Sequence, residues 1–230
     1  MTDINAAALR ERWRRVRDRV ERACAAAGRA PDSVRLIAVS KRHPAAAIRV
    51  LHGLGQREFG ENYVQELSSK ADELADLTDI QFRLIGHLQR NKVRQAVRGH
   101  VTIDTVDSLA LGRSLSKRAE EQQLCVPVLI QVNIGAEPQK SGVTPAELEP
   151  LVAQLRALPH LSVDGLLAIP PETDGYPERA REHFKRLWTL AQRHGLPELS
   201  MGMSDDLEVG VAEGATMVRV GTAIFGPRAG

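Results

Sequence analysis

Two cysteines, Cys24 and Cys125, are all that this chain of 230 residues contains, and they stand far apart with no C-x-x-C and no Cys/His ligand spacing. That argues against a disulfide framework and a zinc site, and it suits a reducing compartment. Aromatic residues are also scarce, at 3%, too few to interleave a basic surface with stacking platforms for bases. Charge of one sign is missing: 31 basic and 29 acidic residues leave a formal +2, so nothing draws the chain to nucleic acid or an acidic membrane. The chain has no apolar run of about 18 residues, and its Arg-rich start has no apolar h-region, so a soluble cytoplasmic protein is expected. Neither G-x-G-x-x-G nor G-x-x-x-x-G-K-[ST] follows a strand pattern, which disfavours a Rossmann or P-loop protein. With no internal repeat, low-complexity tract or linker, residues 1–230 read as one domain.

What is present is a regular alternation. Leu9, Trp13, Val16, Val20 and Cys24 recur at steps of three and four and predict a helix ending near Gly28, with Arg10, Arg14, Arg17 and Asp18 on a solvated opposite face. Short apolar runs then alternate with helical patterns at 34–40, 58–60, 82–86, 101–106, 126–133, 161–169, 199–202 and 217–221. Runs such as Val126-Pro127-Val128-Leu129-Ile130-Gln131-Val132 suit parallel strands buried on both faces. Thr144-Pro145-Ala146-Glu147 reads as a capping box with Pro at the first helical position, and Phe184, Leu187, Trp188 and Ala191 form a stripe that reads as core. Eight strands with intervening helices predict an α/β fold, a single (β/α)8 TIM barrel with an extra N-terminal helix.

Barrels of this kind hold ligands at the C-terminal strand ends, so the residues closing each run carry the information. Period-two alternation puts Ile37, Val39 and Lys41 on one side of strand one, and Lys41 is either a surface lysine or a flexible amine made nucleophilic toward an aldehyde by partial desolvation. The loops after strands seven and eight offer Ser204, Gly221 and Thr222 for a phosphate cradle, although Ser204 is also a natural N-cap and Asp205 and Asp206 must turn away from any anion there. Arg219 alternates with Val218 and Val220, so it either enters the barrel or is badly placed among the outer helices, and inside it needs an acceptor, a ring nitrogen or an internal acid.

These residues place the chain in a known group. Leu36 to Lys41, Phe59 to Glu66, Ile85 to Lys92, Lys140-Ser141-Gly142, Gly165 to Pro170 and Ser200 to Phe225, in that order, resemble the pyridoxal 5'-phosphate (PLP) homeostasis family, also called YggS/PROSC, which is related to the N-terminal domain of alanine racemase. The resemblance implies PLP held as a Schiff base on Lys41, phosphate contacts from Ser204, Gly221 and Thr222, a ring-nitrogen contact from Arg219, and Asn62 near the cofactor. It also implies a role in vitamin B6 and amino-acid homeostasis, with PLP-dependent apoenzymes as partners. No catalytic residue and no metal is expected, nor a nucleic-acid or membrane partner.

A PLP carrier is the leading expectation and an amino-acid racemase the alternative. Racemisation needs a base on each face of the substrate, and neither Tyr63 nor Tyr176 is placed opposite Lys41 by the sequence. An RNA-binding module resting on Arg90, Lys92, Arg94 and Arg98 ranks last. His87, Asn91, Lys92 and Lys140 also match the family motifs without a clear role, and Lys140 is expected to be solvated.

Overall fold

In a computed structural model that describes residues 5–227, eight parallel strands close into a barrel in chain order. They are β1 (Arg35–Val39), β2 (Glu58–Glu61), β3 (Gln81–Leu84), β4 (Val101–Val106), β5 (Val126–Val132), β6 (Leu161–Ala168), β7 (Glu198–Ser200) and β8 (Met217–Val220). Each expected strand forms within two residues of its expected bounds. The outermost residues of the 1–230 expectation lie outside the described residues. Closure comes from β1, which pairs with β2 on one side and β8 on the other, Ile37 lying opposite Arg219.

Alternation sorts the strand side chains. Leu36, Ala38, Phe59, Leu84, Ile103, Val128, Ile130, Leu166, Val218 and Val220 join the helices in one outer core, whereas Ile37, Leu129, Leu167 and Met217 form a separate apolar layer inside the barrel. Towards the N-terminal strand ends the interior is ionic. Arg83 donates from Nε and Nη2 to the two carboxylate oxygens of Asp104 at 2.8 and 2.9 Å and from Nη1 to Glu58 at 3.1 Å. Arg35 links Glu58 to Glu198.

Around the barrel run α1 (Ala6–Ala26), α2 (Ala45–His52), α3 (Val64–Glu73), α4 (Val93–Ala96), α5 (Leu109–Glu121), α6 (Leu148–Arg156), α7 (Arg181–His194), α8 (Leu207–Ala212) and α9 (Thr222–Phe225). The predicted stripe of α1 is buried in full, and Arg10, Arg14, Arg17 and Asp18 are exposed as expected. Two local expectations need correction. The capping box is made, with the Glu147 carboxylate accepting from the Thr144 amide at 3.0 Å and hydroxyl at 2.7 Å, but residues 145–147 form a turn and α6 begins only at Leu148. Trp188 is 43% exposed rather than core, because it flanks the stripe of Phe184, Leu187 and Ala191 and lies over Gly214 instead.

Candidate functional site

The turn that carries Lys41 is held from both sides. Lys41 lies two residues past the end of β1, is half-buried, and precedes Arg42, whose left-handed φ of 62° costs a non-glycine residue on the order of 1 kcal/mol. Ser40 Oγ donates to Glu61 at 2.6 Å, and Lys70 Nζ donates to the Ser40 carbonyl at 2.7 Å, to Glu61 at 2.6 Å and to Glu66 at 2.8 Å. Glu66 also accepts the Arg42 amide at 2.6 Å. Residues on either side of Lys41 are thus tied into one buried cluster that braces the strained turn. Burial raises the Glu61 carboxyl above its usual range, against the pull of Lys70 and Ser40, and its second oxygen is buried without a partner. Sequence reasoning missed this brace. The available signal was Lys70 at steps of three from Val64 and Leu67, on the buried face of α3.

Lys41 and the expected anion site come together because β1 and β8 are neighbours. A Cβ on Gly221 would lie 3.3 Å from the Val39 carbonyl oxygen, a tight approach that glycine relieves where the β8 loop passes the end of β1. Thr222 is exposed, Gly221 and Ser204 are half-buried, and all three flank the same end of the barrel. Thr222 opens α9, whose last two residues bond back to the Gly221 carbonyl at 2.9 Å. Ser204 is not an N-cap: α8 begins at Leu207 behind Asp206. Asp206 is buried and accepts the Met203 amide at 2.6 Å, and Asp205 is exposed.

Arg219 enters the barrel, 4% exposed, and donates to Ser200 Oγ at 2.8 Å and the Ala168 carbonyl at 3.0 Å. Both acceptors are neutral, and they use two of five guanidinium donors. Burial lowers its pKa to about 10, with Asp104 and Asp206 opposing from a distance. It therefore stays a cation at neutral pH.

Asn62 opens on a different part of the mouth. Together with Gly86, His87, Asn133, Lys140 and Ile169 it lines a cavity of about 250 Å³ at the ends of β2, β3, β5 and β6. A Cβ on Gly86 would overlap the Asn62 carbonyl oxygen at 2.1 Å, so the two loops touch through backbone. His87 is exposed, 3.7 Å from Asp107. Lys140 departs from the expectation of a solvated lysine, since it is half-buried, 2.6 Å from Glu137, and donates to the Pro170 carbonyl at 2.8 Å. Asn91 is exposed and Lys92 half-buried in the turn before α4. Tyr63 is 50% and Tyr176 63% exposed. Among the described residues no group of three or more His, Cys, Asp or Glu is arranged to hold a metal ion.

An amine at one strand end, hydroxyls and a close-packed glycine beside it, and a buried cation with spare donors suit an anionic aromatic aldehyde. Comparison with known proteins gives this arrangement a family. The model of the alanine racemase N-terminal domain matches residues 4–229. The pyridoxal phosphate homeostasis protein of Pseudomonas aeruginosa is 44% identical over 224 residues, 96% of each chain. A Bifidobacterium adolescentis protein of unknown function superposes with a TM-score of 0.89 at 35% identity, covering 98% of this chain and 97% of its own. PipY of Synechococcus elongatus, in a structure with PLP bound, superposes with a TM-score of 0.77 at 42% identity, covering 90% of this chain and 99% of PipY. The chain belongs to the pyridoxal phosphate homeostasis protein family, built on the fold of the alanine racemase N-terminal domain.

Proposed function

We propose that the chain binds pyridoxal 5'-phosphate covalently through Lys41 and serves intracellular PLP and amino-acid homeostasis, holding the cofactor more than using it. The observation that carries this reading is the contact between the β8 loop and the end of β1. It sets Gly221 and Thr222 beside the strand that delivers Lys41, with the backbone approach that a phosphate cradle needs. When bound, PLP supplies an aldehyde for an amine and a ring that can draw off electrons.

The chain's own residues determine how far that chemistry goes. Lys41 contributes the amine, on a turn whose neighbours are immobilised by Glu61, Lys70 and Glu66. Ser204, Gly221 and Thr222 would take the phosphate, and Asn62, which follows β2, would border the cofactor from the other part of the mouth. Arg219 would donate to the ring nitrogen, and its pKa of about 10 would keep it from passing a proton there near neutral pH, which would leave a bound ring a weak electron sink.

The same proposal makes residues 1–230 a single barrel domain acting in the cytoplasm, with PLP-dependent apoenzymes as recipients. Its free cysteines, buried Cys24 and exposed Cys125, suit a reducing compartment. Among the described residues no helix is long and apolar enough to cross a membrane.

Borohydride reduction of the PLP-loaded protein followed by peptide mapping tests the assignment. The cofactor is expected on Lys41, and the Lys41→Ala variant is expected to lose the visible absorption band. Label found mainly on another lysine would overturn it.

A further inference from the structure

Helix α1 is more than packing. Arg12 and Arg19 lie seven residues apart, about two turns, and so project from the same side of it. Arg12 donates from Nε to the Ile224 carbonyl at 2.8 Å and from Nη2 to the Phe225 carbonyl at 3.2 Å. Those carbonyls end α9, the segment that Thr222 opens. Arg19 donates to the Ser204 carbonyl at 3.1 Å and forms a two-pronged pair with Glu208, both contacts at 2.9 Å. One side of one helix therefore grips both loops of the phosphate cradle.

The grip matters most at the loop after β8, which has little of its own to hold its direction. A helix of four residues has almost no intrinsic stability, so the orientation of the Thr222 hydroxyl and the amides beside it is imposed from outside. Arg12 imposes it from the far end, through the Ile224 and Phe225 carbonyls. The position of Arg12 is fixed in turn by Leu9, Trp13, Val16 and Val20, all buried, and by the Trp13 indole donating to Gln56 at 3.0 Å. Phe225 extends the chain of contacts to the covalent site, since its ring stacks on His43, two residues past Lys41, at 4.9 Å.

We infer that Arg12 and Arg19 are positioning residues for the phosphate cradle, setting the preference for the phosphorylated cofactor without touching it. The inference rests on the cradle at Ser204, Gly221 and Thr222 proposed above. Its test compares the affinities of PLP and of pyridoxal, which lacks the phosphate, in the full-length parent and in Arg12→Gln, Arg19→Gln and the double variant. Arg15→Gln is the control, because Arg15 is exposed on the same helix and, among the described residues, pairs with Glu11 alone. The double variant is expected to bind PLP about tenfold more weakly, roughly 1.4 kcal/mol, with pyridoxal affinity unchanged and the control equal to the parent.

A parent that binds the two ligands equally would refute the cradle itself. A parent that discriminates, with variants that keep the preference or lose both ligands in equal measure, would refute the clamp alone. Should a Gln variant not fold, Arg12→Lys is read the same way, since it keeps the charge but not the fork across two carbonyls, and an undiminished phosphate preference there would also overturn the inference.

Discussion

Two deeply buried arginines, Arg83 and Arg219, project into the barrel, and they are opposites. Arg83 meets carboxylates on every side, with a bidentate Asp104 and a third contact from Glu58, so that the carboxylates raise its pKa although burial works to lower it. Arg219 is as deeply buried but meets a hydroxyl and a carbonyl, and burial wins. The first is a closed lock near the N-terminal strand ends. The second carries unspent donors near the mouth. The residue type is identical in the two regions, and the charge of the acceptor separates the structural role of one from the binding role proposed for the other.

The comparison breaks most readily at Arg83. Arg83→Met leaves Asp104 buried without its cation and is expected to cost about 3–5 kcal/mol of unfolding free energy in chemical denaturation, whereas adding Asp104→Leu should recover much of that loss. A single variant as stable as the parent would show that the lock is not one. At the mouth the order reverses, with ligand retention falling while the fold holds. Ser204→Ala and Thr222→Ala should each weaken PLP binding by about 1–3 kcal/mol, read by equilibrium dialysis, with the unfolding midpoint of the ligand-free protein nearly constant.

Arg219→Met sharpens the contrast further. It removes an unneutralised buried charge but strands Ser200 Oγ and the Ala168 carbonyl, so a net loss of about 1 kcal/mol or less is expected. A loss matching that of Arg83→Met would erase the distinction between the two arginines. The smallest effect concerns pH at the Lys41 brace. The Glu61 carboxyl is raised in the folded state, so the unfolded chain ionises first as pH rises, and stability relative to Glu61→Gln should fall from its value below the ordinary glutamate pKa until the folded pKa is passed. Denaturation of parent and variant as pH rises from below the ordinary glutamate pKa reads the difference, and a difference that grows with pH would show that Lys70 and Ser40 outweigh burial at Glu61.

Much of this molecule is legible before folding. Period-two and period-three-to-four patterns are local, so strands such as Val101–Val106, the buried stripe of α1 and the inward parity of Arg219 follow from neighbours in the chain. Trp188 shows where such reasoning weakens, because a residue flanking a stripe is assigned by whatever covers it, here Gly214. The residues proposed for the site were legible by type and by resemblance, and their spatial company was not. Lys140 looked solvated until Glu137 and the Pro170 carbonyl were seen around it.

By itself, then, the sequence determined an eight-stranded barrel, the faces of its elements, and a lysine, hydroxyls and an arginine at strand ends where a ligand would be held. Only the tertiary structure decided that Glu61 and Lys70 brace the Lys41 turn, that Arg219 meets neutral acceptors where Arg83 meets carboxylates, and that Arg12 and Arg19 reach across some two hundred positions to the loops after β7 and β8. Periodicity fixes which side of an element a residue faces, because that depends on backbone geometry alone. The partner it meets there depends on how distant segments stack, and no local spacing encodes that.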